Sequence, residues 1–129
     1  MSKHLPRNIL IFLLLTNFIS CGWVRELNEF MAAPNIRTPE LTSVMDGSYI
    51  QEFQSGPIKV KIKVTAKGHQ ITECILLKHR SGRGKPAEAI VDSVMREQSL
   101  DVDAISGATL SSTVILKTIQ LALEQGIPH

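Results

Sequence analysis

One short stretch joins a β-like alternation to the last helical pattern of the chain: Asp103-Ala104-Ile105-Ser106-Gly107-Ala108-Thr109-Leu110-Ser111-Ser112. Gly107 lacks a Cβ, so the backbone can take unusual angles there and another group can approach closely. A turn that leads into a helix leaves about four N–H groups unpaired, and the helix dipole favours negative charge beside them. The stretch therefore predicts a helix start that suits an anion such as phosphate. It lacks the lysine of a P-loop and the glycine pattern of a dinucleotide fold.

Two interpretations of Thr109 are open at this point. In the first, the stretch is an ordinary helix start, in which Ser106 or Thr109 is the N-cap and Ser112 lies in the first turn. In the second, Thr109 presents its hydroxyl on a tight turn, where a phosphate group can be esterified to it. The small neighbours would keep the approach open, and the helix dipole would stabilise the diester anion.

Outward from this stretch, the apolar pattern indicates one antiparallel sheet with helices. The clearest strand has Ile58, Val60, Ile62 and Val64 on one face and Lys59, Lys61 and Lys63 on the other. A glycine-bearing turn follows, and the return strand from Ile71 buries either Ile71, Ile75 and Leu77 or Cys74 and Leu76. The remaining predicted elements are a strand at 49–53, a helix from Pro86 to about Gln98, a strand at Val102–Ile105 and a helix ending at Gly126. The predicted fold class is α+β, a small antiparallel sheet with two helices packed on it, in the order β-β-β-α-β-α.

Three features of this sheet have a plain and a functional interpretation. The lysines Lys59, Lys61 and Lys63 are expected to face solvent, and the alternative is contact with anionic lipid or a flavin phosphate. Cys74 is expected to be a buried small hydrophobe without a redox role. His79 lies beside glycines and is expected in an exposed loop, with contact to a cofactor edge as the alternative.

The N-terminal residues have a pattern that is typical of a targeting segment. Lys3 and Arg7 precede a short apolar run from Ile9 to Ile19, which is little more than half of what a membrane-spanning helix needs. The run ends in Phe18-Ile19-Ser20-Cys21-Gly22, which resembles a bacterial lipobox, so we expect a lipoprotein signal peptide at 1–20 and a lipid on Cys21. Simple secretion is the alternative. Residues 21–45 have no sustained period and are predicted to be a tether before a domain at 46–126.

Composition limits the classes of function. The chain has 129 residues, 43% of them hydrophobic and 20% charged, which is enough for one modest core. The formal charge of +2 includes Lys3 and Arg7, so the chain without its leader is near neutral. No basic surface for nucleic acid is expected. No metal-ligand cluster, Cys–His pair or Ser–His–Asp set has plausible spacing, so a stand-alone catalyst is not indicated.

The pattern Asp103-x-x-Ser106-Gly107-Ala108-Thr109 resembles the flavinylation motif of the FMN-binding domain family. That family includes components of the sodium-pumping NADH:quinone oxidoreductase and of the Rnf complex. Asp46-Gly47-x-Tyr49 is similar to its usual opening. The resemblance implies that Thr109 carries FMN through a phosphodiester, installed by a flavin transferase that uses FAD as donor and Mg²⁺ as cofactor. It also implies that Ser106, Gly107, Ala108, Asp103 and Leu110 form the cofactor-binding segment.

These expectations combine into one functional hypothesis. The chain is expected to be an extracytoplasmic, membrane-anchored flavoprotein that relays electrons between an unidentified donor and acceptor. Its other expected partners are the transferase and the membrane. The flavin would supply the redox chemistry, and the protein would place and tune it. The alternative hypothesis is a lipoprotein interaction module that has the same fold and carries no flavin.

Overall fold

The computed structural model describes Arg25, residues 35–82 and residues 84–129. The predicted signal peptide, Cys21 and most of the predicted tether lie outside these residues. Among the described residues, no helix is long and apolar enough to cross a membrane. Residues 35–45, the last part of the predicted tether, contact the folded domain. Here the Arg37 amide donates to Gln120 (3.2 Å), and Val44 is buried.

Three antiparallel strands form one sheet in the order β1-β2-β3. They are β1 (Gly47–Ser55), β2 (Ile58–Lys67) and β3 (Gln70–Arg80). Both hairpins have two-residue loops, since Ser55 pairs with Ile58 and Lys67 pairs with Gln70. In the second loop Gly68 and His69 both have positive φ, 58° and 63°. A type I′ turn requires such a pair of angles, and its twist matches that of the strands.

Two helices follow the sheet and cover one of its faces. A 3-10 helix (Lys85–Ala89) leads into α1 (Ile90–Glu97), and α2 (Thr109–Glu124) ends the domain. The core lies between the helices and the inner residues of β2, where Val60, Ile62 and Val64 are fully buried. The helical residues that fill the other side of the core are Ile90, Val94, Val114, Ile115, Ile119 and Leu123. The predicted α+β class, with two helices on an antiparallel sheet, is confirmed.

The predicted fourth strand at Val102–Ile105 is wrong, because residues 101–105 form no ladder. The backbone groups of Ile105 instead form hydrogen bonds with nearby residues. Its N–H donates to Ser112 Oγ (3.0 Å) and its carbonyl accepts from the Ala108 amide (2.9 Å). At the edge of β3, the side chain of Gln98 bonds both backbone groups of Ile71, at 2.8 and 2.9 Å. That side chain occupies the edge positions of Ile71 that a neighbouring strand would use.

Of the two predicted burial patterns for β3, the one that buries Ile75 and Leu77 is wrong, whereas Cys74 and Leu76 of the other pattern lie opposite the fully buried Val64 and Ile62. Ile71 is buried, Cys74 and Leu76 are half-buried, and Ile75 and Leu77 are exposed. The register against β2 shifts twice, between Thr65 and Ala66 and between Lys61 and Ile62. Each irregularity adds a residue to β3 and reverses which face the following side chains occupy.

Candidate functional site

A tight turn precedes α2. The Ala108 amide donates to the Ile105 carbonyl (2.9 Å), and Gly107 has φ = 76°. Positive φ at the third residue of a turn is the requirement of type II, and glycine meets it without steric cost. A Cβ on Gly107 would have no atom within 4 Å. Glycine is therefore needed for the backbone conformation, and the turn is open to approach from outside.

Ser112 fastens this turn to the helix. Its hydroxyl accepts from the Ile105 amide (3.0 Å) and donates to the Ala108 carbonyl (2.9 Å), and the residue is fully buried. A buried hydroxyl with both kinds of partner has its hydrogen bonding satisfied. The sequence placed Ser112 near the helix start but gave no sign of this double contact, which depends on where the turn folds back.

Thr109 is the first residue of α2 and is exposed. Ala108 is the N-cap, no side chain caps the helix, and the first turn contains no acidic residue. The interpretation of Ser106 or Thr109 as an N-cap is therefore wrong. The Thr109 hydroxyl has no hydrogen-bond partner among the described residues, and the first N–H groups of α2 lack a side-chain acceptor. A free hydroxyl and an uncapped helix N-terminus thus occupy the same place.

The other predicted site residues lie around Thr109 in different environments. Ser106 and Gly107 are exposed in the turn, Ala108 is buried, and Leu110 is half-buried in the first helical turn. Asp103 is exposed and makes no ion pair or hydrogen bond within the described part of the chain. It therefore has no contact that would support a role in capping the turn.

Asp103 lines a polar cleft beside the turn, together with residues of α1. The cleft has a volume of about 270 Å³, and its lining consists of Ser93, Arg96, Glu97, Asp101, Val102 and Asp103. Thr109 is not part of it. Because the lining is mostly charged, the cleft suits a polar group rather than an aromatic ring.

The loop between β3 and α1 packs against the start of α2. A Cβ on Gly84 would lie 1.9 Å from Ser111 Oγ and 2.7 Å from Ser111 Cβ, so only glycine permits the approach. The other end of α2 lies at the start of β1, where Gln125 donates to the Ile50 carbonyl (3.1 Å). The N-terminus of α2 therefore lies towards the opposite end of the sheet, where β1 and β3 end.

His79 lies near the end of β3, and the expectation that it is exposed is wrong. Its side chain is only 2% exposed, and Nδ1 lies 3.1 Å from Glu88 Oε1. Nε2 is buried and has no hydrogen-bond partner among the described atoms. His79 belongs to β3, which continues to Arg80, and its pairing places it opposite the buried Val60 on the inner face. An ionised carboxylate only accepts, so Nδ1 donates to Glu88, and Nε2 is an acceptor enclosed by the fold.

These features decide which kind of group fits the site. The uncapped N-terminus of α2 and the exposed Thr109 hydroxyl suit a phosphate ester, because backbone N–H groups and the helix dipole favour an anion. The open side of Gly107 leaves room for a bulky substituent. Among the described residues, no group of His, Cys, Asp and Glu is arranged to hold a metal ion.

Comparison with known proteins adds one finding. A protein-family model described as the FMN-binding domain matches residues 54–124, which is more than half of the chain. The matched residues begin in β1 and extend to the last residue of α2, so they include the turn and Thr109. No curated protein matches the chain. The predicted resemblance to this family is confirmed.

Proposed function

The chain belongs to the FMN-binding domain family, and we propose that it carries FMN covalently on the hydroxyl of Thr109. The observation that supports this acceptor most directly is the placement of Thr109. It is exposed at the first position of a 16-residue helix whose N-terminus no side chain caps. The phosphodiester would accept hydrogen bonds from the first N–H groups of α2, which have no side-chain acceptor. The helix dipole would stabilise its negative charge.

Attachment is proposed to occur by transfer from FAD. The Thr109 oxygen forms a bond to the phosphorus of the FMN half, the bond between the two phosphates breaks, AMP leaves, and the hydroxyl proton is released. Gly107 and Ser112 hold the turn that presents the hydroxyl. Asp103 is proposed to assist the transferase, since a free carboxylate near the acceptor can contact Mg²⁺, which prefers oxygen ligands.

Bound flavin would accept and donate electrons, and the protein would hold it in place. The proposed role is electron relay between partners outside the cytoplasm, with the chain attached to a membrane through acyl groups on Cys21. Two or more acyl chains give stable anchoring, whereas one alone gives marginal binding. Covalent attachment fits an exported protein, because a dissociating cofactor would be lost to the surroundings.

The intact mass of the protein isolated from membranes of its own host tests the cofactor and the anchor together. The expected mass contains one FMN minus water and a lipid on Cys21, with the flavin on the peptide that includes Thr109. Thr109→Ala should lose the flavin and Thr109→Ser should keep an acceptor. Ser106→Ala removes the other exposed hydroxyl of the same turn, and any flavin that this variant carries should still be on Thr109.

The variant Thr109→Ala should also remain folded, since the side chain is exposed and unbonded, and such substitutions stay within about 0.5 kcal/mol. Flavin on another residue, or flavin retained in the alanine variant, would contradict the assignment. Native protein without any flavin would instead support the alternative, an interaction module with the same fold.

A further inference from the structure

Within residues 35–82 and 84–129, no helix covers the second face of the sheet, which we name the outer face. Lys59, Lys61 and Lys63 of β2 lie on it, because they alternate with the buried residues of that strand. The strand register places their neighbours on the same face. Ile50 and Ile75 flank Lys63, Glu52 and Lys78 flank Lys61, and Gln54 and Arg80 flank Lys59.

Cations outnumber anions on the outer face. Glu52 pairs with Lys59 (2.7 Å) and Glu73 pairs with Lys63 (3.0 Å), and these lysines lower the pKa of both carboxyl groups. Three further cations have no ion pair within the described residues: Lys61, Lys78 and Arg80. The face therefore has a net positive charge, although the chain as a whole is close to neutral. Many of the balancing acidic residues lie elsewhere, in α1 and the segment before α2: Asp92, Glu97, Asp101 and Asp103.

Aliphatic side chains lie exposed among these cations. On the outer face Ile50 is 53% exposed and Ile75 40%, and Leu77, the extra residue of β3 at the irregularity beside Lys61, is 47% exposed. The two aromatic residues of β1, Tyr49 and Phe53, oppose buried residues of β2 and so lie on the other face. In the strands, the outer face consequently combines lysines and aliphatic groups, and no aromatic ring of the described residues in β1, β2 or β3 is placed on it by the register.

This composition favours one kind of occupant. Protein interfaces are enriched in aromatic residues and depleted in lysine, which is the reverse of the outer face. A second copy of the chain would bring like charges together, which is unfavourable. An anionic lipid surface attracts each nearby lysine, and aliphatic groups can enter its headgroup region. We propose that the outer face lies against an anionic phospholipid surface.

The orientation follows from the architecture. The helices pack on the opposite face of the sheet, and Thr109 begins one of them. With the outer face on lipid, the helical layer is directed away from the bilayer and Thr109 stays accessible from the aqueous side. This inference goes beyond the proposed function, since a lipid anchor alone would leave the orientation of the domain unspecified.

Lysine acylation of the full chain, reconstituted in vesicles, tests the proposal. Vesicles of phosphatidylcholine alone are compared with vesicles that also contain phosphatidylglycerol, and each labelled lysine is quantified by mass spectrometry. Labelling of Lys61 and Lys78 should fall about fivefold with the anionic lipid. An anionic surface attracts each nearby lysine by about 1 kcal/mol, which corresponds to about a fivefold change in an equilibrium. Lys85, which is exposed in the 3-10 helix, is the internal control and should not change. In about 1 M NaCl, where the Debye length is about 3 Å, the protection should disappear.

A charge-matched pair of variants separates the outer face from the rest of the protein. Lys61→Gln with Lys78→Gln should abolish the lipid-dependent protection of Lys63, whereas Lys85→Gln with Lys117→Gln should leave it intact. Equal labelling in both kinds of vesicle would overturn the proposal. Protection that grows with protein density and ignores lipid charge would overturn it in favour of a second copy. The intact mass of the same sample reports flavin and lipid separately, so a failure of the proposed function is recognised independently.

Discussion

Replacing Gly84 by alanine tests how closely the loop before α1 packs against the start of α2. The new Cβ would lie 2.7 Å from Ser111 Cβ, and ordinary contacts begin near 3.4 Å, so the two backbones must separate by about 0.7 Å. Ser111 is 3% exposed, so the helix start has little freedom to move. Overpacking of this kind costs about 1–3 kcal/mol.

One effect opposes this cost. Gly84 has φ = −86° and ψ = 5°, angles that alanine can adopt, and such a replacement gains about 0.4–1 kcal/mol by restricting the unfolded chain. The net loss expected for Gly84→Ala is therefore about 1–2 kcal/mol. Gly82→Ala is the matched control in the same loop, because a Cβ there has no atom within 4 Å. It should be neutral or slightly stabilising.

Urea unfolding of the purified variants measures both changes. With a slope of about 1–3 kcal/mol per M, the midpoint of Gly84→Ala should fall by about 1 M, while that of Gly82→Ala stays or rises. Ser111→Gly removes the atoms that clash, so the double variant with Gly84→Ala should lose less than the sum of the single losses. If Gly84→Ala is as stable as Gly82→Ala, the close packing inferred between this loop and α2 is wrong.

Two other predictions concern the turn and the Cys74 thiol. Gly107→Ala and Gly68→Ala each force alanine into positive φ in open space, so each should lower the free energy of unfolding by about 1–2 kcal/mol. Only Gly107→Ala should also lower the flavinylated fraction measured in mass spectra. An equal loss of flavin in both variants would mean that stability alone controls attachment. Burial raises the pKa of the Cys74 thiol from 9.0 to about 12. The folded state then keeps a proton that the unfolded state releases, so the free energy of unfolding should fall by up to about 1.4 kcal/mol per pH unit between about pH 9 and pH 12. Denaturation at several pH values should show this slope. If the same slope is found in Cys74→Ala, the pH dependence comes from groups other than Cys74.

The sequence was most informative where one local pattern decides the structure. The alternation of β2 places a lysine outside and a branched aliphatic residue inside at each step from Ile58 to Val64, and the burial of the strand follows the alternation as far as Ala66. Gly107 likewise marks a turn because few other residues adopt positive φ. In both cases the determining interaction lies within a few residues, so the pattern alone was sufficient.

The sequence was least informative where contacts between residues far apart in the chain determine the local structure. The irregularities in β3 arise from pairing with β2, and no spacing in β3 shows where they fall. Val102–Ile105 has the composition of a short strand, but the Ile105 amide donates to Ser112 and is therefore not free for a strand partner. The burial of His79 was missed because the strand was expected to end at Lys78, whereas pairing with β2 extends β3 to Arg80 and places His79 opposite the buried Val60.

The contacts around Thr109 divide the site into two parts: the acceptor, which is Thr109, and the support, which consists of Ser112, Ser111 and Gly84. The two parts contribute differently to the stability of the fold. The Thr109 hydroxyl contributes no hydrogen bond to the described part of the fold, so it can be modified or removed at little cost to stability. Its position is nevertheless fixed by buried neighbours, since Ser112 bonds both ends of the turn and Ser111 packs on Gly84. A change in the support should therefore lower stability and attachment together, whereas a change in the acceptor should abolish attachment alone. Because the two outcomes differ, paired measurements of unfolding and intact mass can assign any variant near the turn to one part or the other.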